Sequence, residues 1–91
     1  MGTISIGSRI KIPCEVKPGP FSEERLVSFD TLDGVISGFV RDKELTQSGD
    51  EWYISGVIRK VESEHLIVMV RGSFFTTNGI ASISKSLAYA A

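Results

Sequence analysis

Apolar and polar residues alternate with a period of two in several short runs along this chain. In residues 10–16, Ile10, Ile12, Cys14 and Val16 alternate with Lys11, Pro13 and Glu15. That spacing puts the four apolar groups on one face of a β-strand. Pro13 has no N–H to give to a ladder, so this strand is expected at an edge or bent at the proline. Further strands are predicted over residues 35–41, 52–61, 66–71 and 81–87, preceded by the short apolar stretch Leu26-Val27-Ser28-Phe29. In the last strand Ala81, Ile83 and Leu87 share a face that Lys85 interrupts. No window of eleven or more residues carries a helical period.

Turn chemistry separates these runs. Lys17-Pro18-Gly19-Pro20-Phe21-Ser22 combines fixed φ at the prolines with conformational freedom at the glycine. Asp33-Gly34 and Asn78-Gly79 are reverse-turn pairs. Ser48-Gly49-Asp50 is the expected loop of the polar stretch 42–51, and Glu62-Ser63-Glu64-His65 a tight hairpin connection. Two strands share a near-repeat: Ile36-Ser37-Gly38-Phe39-Val40-Arg41 and Ile54-Ser55-Gly56-Val57-Ile58-Arg59. A glycine inside a strand marks a bend, a bulge or a close backbone approach. The two copies are read as adjacent antiparallel strands, with Gly38 and Gly56 as the points where one sheet coils enough to close.

These features predict a single all-β domain over residues 1–91, a small barrel of five to six antiparallel strands, with residues 1–7 as a flexible lead. A long connection after the first strand, then a medium loop, a tight hairpin and a short turn, is the order of connections in an SH3-like barrel, which this chain resembles. Lys17-Pro18-Gly19-Pro20-Phe21 is similar to the Gly-Pro-Phe turn of KOW modules. Asp50-Glu51-Trp52-Tyr53 resembles the start of the third strand in SH3 and Tudor-like domains, where adjacent aromatics help to line a ligand groove. Thr76-Thr77-Asn78-Gly79 stands where SH3 domains carry a Pro-Ser-Asn-Tyr stretch, so the resemblance is to the fold.

Composition narrows the function. The 91 residues carry ten Lys and Arg against eleven Asp and Glu, a net charge of −1. The clear basic excess of a dedicated nucleic-acid or membrane-surface binder is absent. The single cysteine excludes an intrachain disulfide. The first residues lack both a basic segment and a long apolar stretch, and the longest apolar run is residues 66–70. A soluble cytoplasmic protein without a membrane partner is expected.

Candidate chemistry is sparse. His65, the only histidine, lies among acidic residues in a predicted hairpin and reads as an exposed turn residue. One His and one Cys match no metal-ligand spacing, and no phosphate loop, nucleophile elbow or catalytic carboxylate pair is present. No enzyme, metal or cofactor is expected. The better lead is aromatic. Trp52 and Tyr53 alternate to opposite faces, as do Phe74 and Phe75 if extended, so one of each pair faces outward, where aromatics mark contact sites. The expected function is a non-catalytic protein- or peptide-interaction module or small accessory subunit. Its apolar anchors are Phe21, Trp52, Tyr53, Phe74 and Phe75, with Arg71 and Asn78 as polar contacts and the acidic Glu23, Glu24, Asp30 and Asp33 expected to select a basic partner. The alternatives are a nucleic-acid-binding barrel using strand cations such as Arg9, Lys11, Arg59, Lys60 and Arg71 beside the same aromatics, and a homo-oligomer paired through edge strands.

Overall fold

A computed structural model describes residues 5–19, 22–75 and 77–90. Among them are nine β-strands and no α-helix: β1 (Arg9–Pro18), β2 (Glu24–Thr31), β3 (Gly34–Arg41), β4 (Leu45–Ser48), β5 (Glu51–Val61), β6 (His65–Val70), β7 (Ser73–Phe74), β8 (Ile80–Ser84) and β9 (Tyr89–Ala90). They form one antiparallel sheet in the order β7-β3-β2-β1-β5-β6-β8, with β4 added to β5 and β9 to β1. The sheet curls into a half-barrel. The all-β class is as the alternation predicts, but the strands number nine instead of five to six. β4, β7 and β9 are short and form only because longer neighbours offer them a ladder.

The period of two builds the core directly. Ile10 and Ile12 of β1, Val27 and Phe29 of β2, Val40 of β3, Ile54 and Ile58 of β5, Leu66, Val68 and Val70 of β6, and Ala81 and Ile83 of β8 are all buried. Cys14 and Val16 continue the inward face of β1 and pack against this cluster while partly exposed. No polar or charged residue is buried among the described residues.

β1 changes partners along its length, and Pro13 marks the change. Residues from Arg9 to Cys14 pair with β5, whereas Glu15 to Pro18 pair with β2. On the edge away from β5, β9 pairs with Ile10 and Lys11. Pro13 therefore sits in the interval between β9 and β2, where that edge has no ladder neighbour and a missing N–H carries no penalty. Beyond this split, the tip of the β2–β3 hairpin leans on β8 through a bond from Leu32 N–H to the Ser82 carbonyl, 2.9 Å.

Three details differ from the sequence expectation. The near-repeat strands β3 and β5 are not adjacent, because β2 and β1 lie between them. The segment 81–87 is not one strand: β8 ends at Ser84, whose Oγ accepts from the Ser86 N–H at 3.3 Å, and Lys85–Leu87 form a 3-10 turn. His65 is not an exposed turn residue. It is the first residue of β6, half-buried and paired with Ser84, with its carbonyl accepting from Glu62 N–H at 2.9 Å.

Candidate ligand groove

Arg71 follows β6 directly, and the chain then turns sharply at Gly72. A Cβ on Gly72 would stand 2.9 Å from both Phe74 Cζ and Val40 Cγ2, so only glycine lets the chain pass so close to β3. β7 then pairs with β3, Phe74 opposite Gly38 and Ser73 opposite Phe39. This short pairing sets the outward residues of β3, Phe39 and Arg41, beside the end of β6. A 3-10 turn, Asp42–Glu44, follows β3 and brings Lys43 and Glu44 to the same place.

Two shallow clefts result, and they adjoin across shared lining residues, so that together they form one groove. One, of about 320 Å³, is lined by Glu24, Phe39, Arg41, Lys43, Glu44, Arg71, Gly72 and Ser73. The other, of about 290 Å³, runs over the outer face of β5 and β6 between Arg9, Arg59, Ser55, Val57 and Met69, and shares Lys43, Glu44 and Arg71 with the first. Arg59 occupies the irregularity in the β5–β6 ladder, where Ile58 pairs with Val68 and Lys60 with Ile67, leaving Arg59 without an opposite residue. Such a bulge re-aims its side chain. The Arg59 guanidinium Nη1 donates to Met69 Sδ at 3.7 Å.

The charge of this groove is opposite to that of the whole chain. Arg9, Arg41, Lys43, Arg59 and Arg71 are five of the ten Lys and Arg, whereas Glu24 and Glu44 are two of the eleven Asp and Glu. The two ion pairs among the described residues, Arg25 with Asp42 at 2.9 Å and Lys60 with Glu62 at 3.1 Å, involve none of these cations. At one end of the groove stands an aromatic step. Phe75 is 62% exposed, and its ring meets Phe39 edge-on, with centroids 5.5 Å apart and planes at 78°.

The residues singled out from the sequence fall in different places. Arg71 lines the groove, and Phe75 stands beside it, its ring against the lining residue Phe39. Phe74 packs against the core, its ring edge-on to Phe29 with centroids 5.9 Å apart. Trp52 is half-buried at the open end of the inward face, opposite Cys14, with the Arg25 guanidinium 5.5 Å from its ring centroid. Tyr53 points the other way and meets Tyr89 of β9 edge-on at 5.7 Å. Asn78 is exposed in the turn before β8, where Gly79 has φ of 102° and its carbonyl accepts from Val70 N–H at 2.7 Å. Phe21 lies outside the described residues. Of the strand cations, Arg9, Arg59 and Arg71 converge, while Lys11 and Lys60 do not line the groove. Phe39, Arg41 and Lys43 were not singled out, although alternation from the inward Gly38 and Val40 sends Phe39 and Arg41 outward.

Elsewhere, a cleft of about 280 Å³ opens where β1 and β2 part, lined in part by Pro13, Cys14, Ser28 and Phe29. Burial pushes the Cys14 thiol up from 9.0 to about 12, so it stays protonated and a poor nucleophile at neutral pH. No group of three His, Cys, Asp or Glu among the described residues could hold a metal ion. No described helix is long and apolar enough to cross a membrane. No protein family, curated protein or solved structure matches the chain.

Proposed function

We propose that this protein is a non-catalytic interaction module, built on an SH3-like barrel, whose contact surface is the cationic groove and whose partner presents an extended, negatively charged chain. One observation carries this reading: on a chain of net charge −1, five cations converge on one groove and take part in neither ion pair of the described residues. Gathering like charges costs electrostatic free energy in the free protein, and a polyanion relieves it. A partner protein meets the requirement with an acidic extended segment, and a nucleic acid meets it with its phosphates.

The reading is tested with polyglutamate, the simplest extended anion. The protein should bind it at low ionic strength and release it as salt rises. The double charge reversal Lys43→Glu with Arg71→Glu should abolish binding. Lys17→Glu, at an exposed site outside the groove, should leave it nearly unchanged. Equal losses in both variants would show a non-specific charge effect and end the proposal.

A further inference from the structure

We infer that the ligand of this groove is a single-stranded nucleic acid, with its phosphates along Arg9, Lys43, Arg59 and Arg71 and a base stacked on Phe75. The inference rests on the proposed function and specifies its ligand. Cations alone do not distinguish a phosphate backbone from an acidic peptide, but the aromatic step does. Phe75 is a large apolar side chain left 62% exposed, yet it is held in place. Its backbone N–H donates to the Ser37 carbonyl at 3.0 Å, and its ring rests edge-on against Phe39, itself a lining residue of the groove. The fold gains little from a ring so exposed, whereas a base gains a fixed platform at small entropic cost.

The order of the parts also fits. Between Arg71 and Phe75 the chain has Gly72 and Ser73, both exposed and small, and then Phe74, whose ring is turned inward against the core. Phosphate contacts then fix the path of the strand, while stacking holds its bases without regard to sequence. A duplex keeps its bases stacked inside and offers Phe75 no free face. An acidic peptide without aromatic residues, such as polyglutamate, offers charge and no flat partner for the ring.

The test compares three ligands by fluorescence anisotropy on the full chain: a mixed-sequence DNA single strand of about a dozen nucleotides, the duplex of the same sequence, and polyglutamate of similar charge. The single strand should bind most tightly, with log K falling against log salt at a slope of about −3 for four phosphates neutralised. Phe75→Ala should weaken the single strand about tenfold or more and leave polyglutamate unchanged. Phe75→Trp should restore binding, and circular dichroism should show each variant folded. Binding of polyglutamate with no preference for the single strand, or equal binding of single strand and duplex, would overturn the inference while leaving the proposed function standing. So would an unchanged affinity in Phe75→Ala. Failure of both the single strand and polyglutamate to bind would remove both.

Discussion

Replacing Gly38 by alanine should damage the fold, whereas the same change at Gly56 should not, although the two glycines occupy matching positions of the near-repeat. At Gly38 a Cβ would stand 2.5 Å from the Ser73 carbonyl oxygen, 2.6 Å from Phe74 Cα and 2.7 Å from Phe74 Cδ1. Two of these atoms are backbone, so a rotamer change cannot relieve the clash. Either β3 and β7 strain apart, at about 1–3 kcal/mol for overpacking, or β7 detaches. Detachment exposes the half-buried Phe74, about 1–2 kcal/mol, and breaks its edge contact with Phe29, about 0.5–1.5 kcal/mol. The reduced freedom of the unfolded chain returns about 0.4–1 kcal/mol. Either route leaves a net loss of about 1–2 kcal/mol, which lowers Tm by about 4–16 °C in a domain of this size. At Gly56 the nearest atom is Ile12 Cδ1 at 3.3 Å, the end of a flexible side chain. Gly56→Ala should therefore stay within about 1 kcal/mol of the parent. Urea titrations of the three proteins followed by circular dichroism measure the difference. If Gly38→Ala unfolds at the parent's midpoint, or Gly56→Ala falls as far as Gly38→Ala, the close approach of β7 does not control stability.

Phe74→Ala should cost about 3 kcal/mol, because it empties a site against the core, while the exposed Phe75→Ala should cost under about 1 kcal/mol; parallel melts separate the two. Cys14 titrates near 9.0 when unfolded and near 12 when folded, so above pH 9 the unfolded chain loses its proton first and stability falls as pH rises through that window. Cys14→Val should flatten this alkaline decline, read from midpoints between pH 8 and pH 11. The native thiol should also react with a disulfide reagent at pH 8 far more slowly than the thiol in urea. Asp42→Asn removes the partner of Arg25 in a pair whose side chains are 37% and 48% exposed, so the loss should be within about 1 kcal/mol and shrink in high salt.

Strands with an inward apolar set were legible because period two states both the element and its buried face. β4, Leu45-Thr46-Gln47-Ser48, has no such set and is a strand only because β5 pairs with it from Glu51 to Ile54. β7 and β9 are two residues each, below any pattern. The adjacency of the near-repeat strands failed for a related reason. Sequence similarity between strands says nothing of which β-strand lies between them, and here β1 and β2 do. Arg71 and Phe75 could be singled out because a cation and a pair of aromatics beside polar residues stand out locally. Their convergence with Arg9, Lys43 and Arg59 depends on the pairing of β7 with β3, a long-range contact that no local signal encodes.

The divided strand β1 also bears on how fast this protein can fold. β2 with β3, β4 with β5, and β5 with β6 pair across short connections. These hairpins close with little loss of chain entropy. β1 instead waits for residues far along the chain: Arg9 meets Val57, and Ile10 meets Ala90. Its ladders with β5 and β9, together with the smaller pairing of β7 on β3, are the ones that raise the contact order, so folding is paced largely by the capture of β1 between preformed hairpins. Substitutions confined to its N-terminal half should slow refolding more than equally destabilising changes in the β2–β3 hairpin.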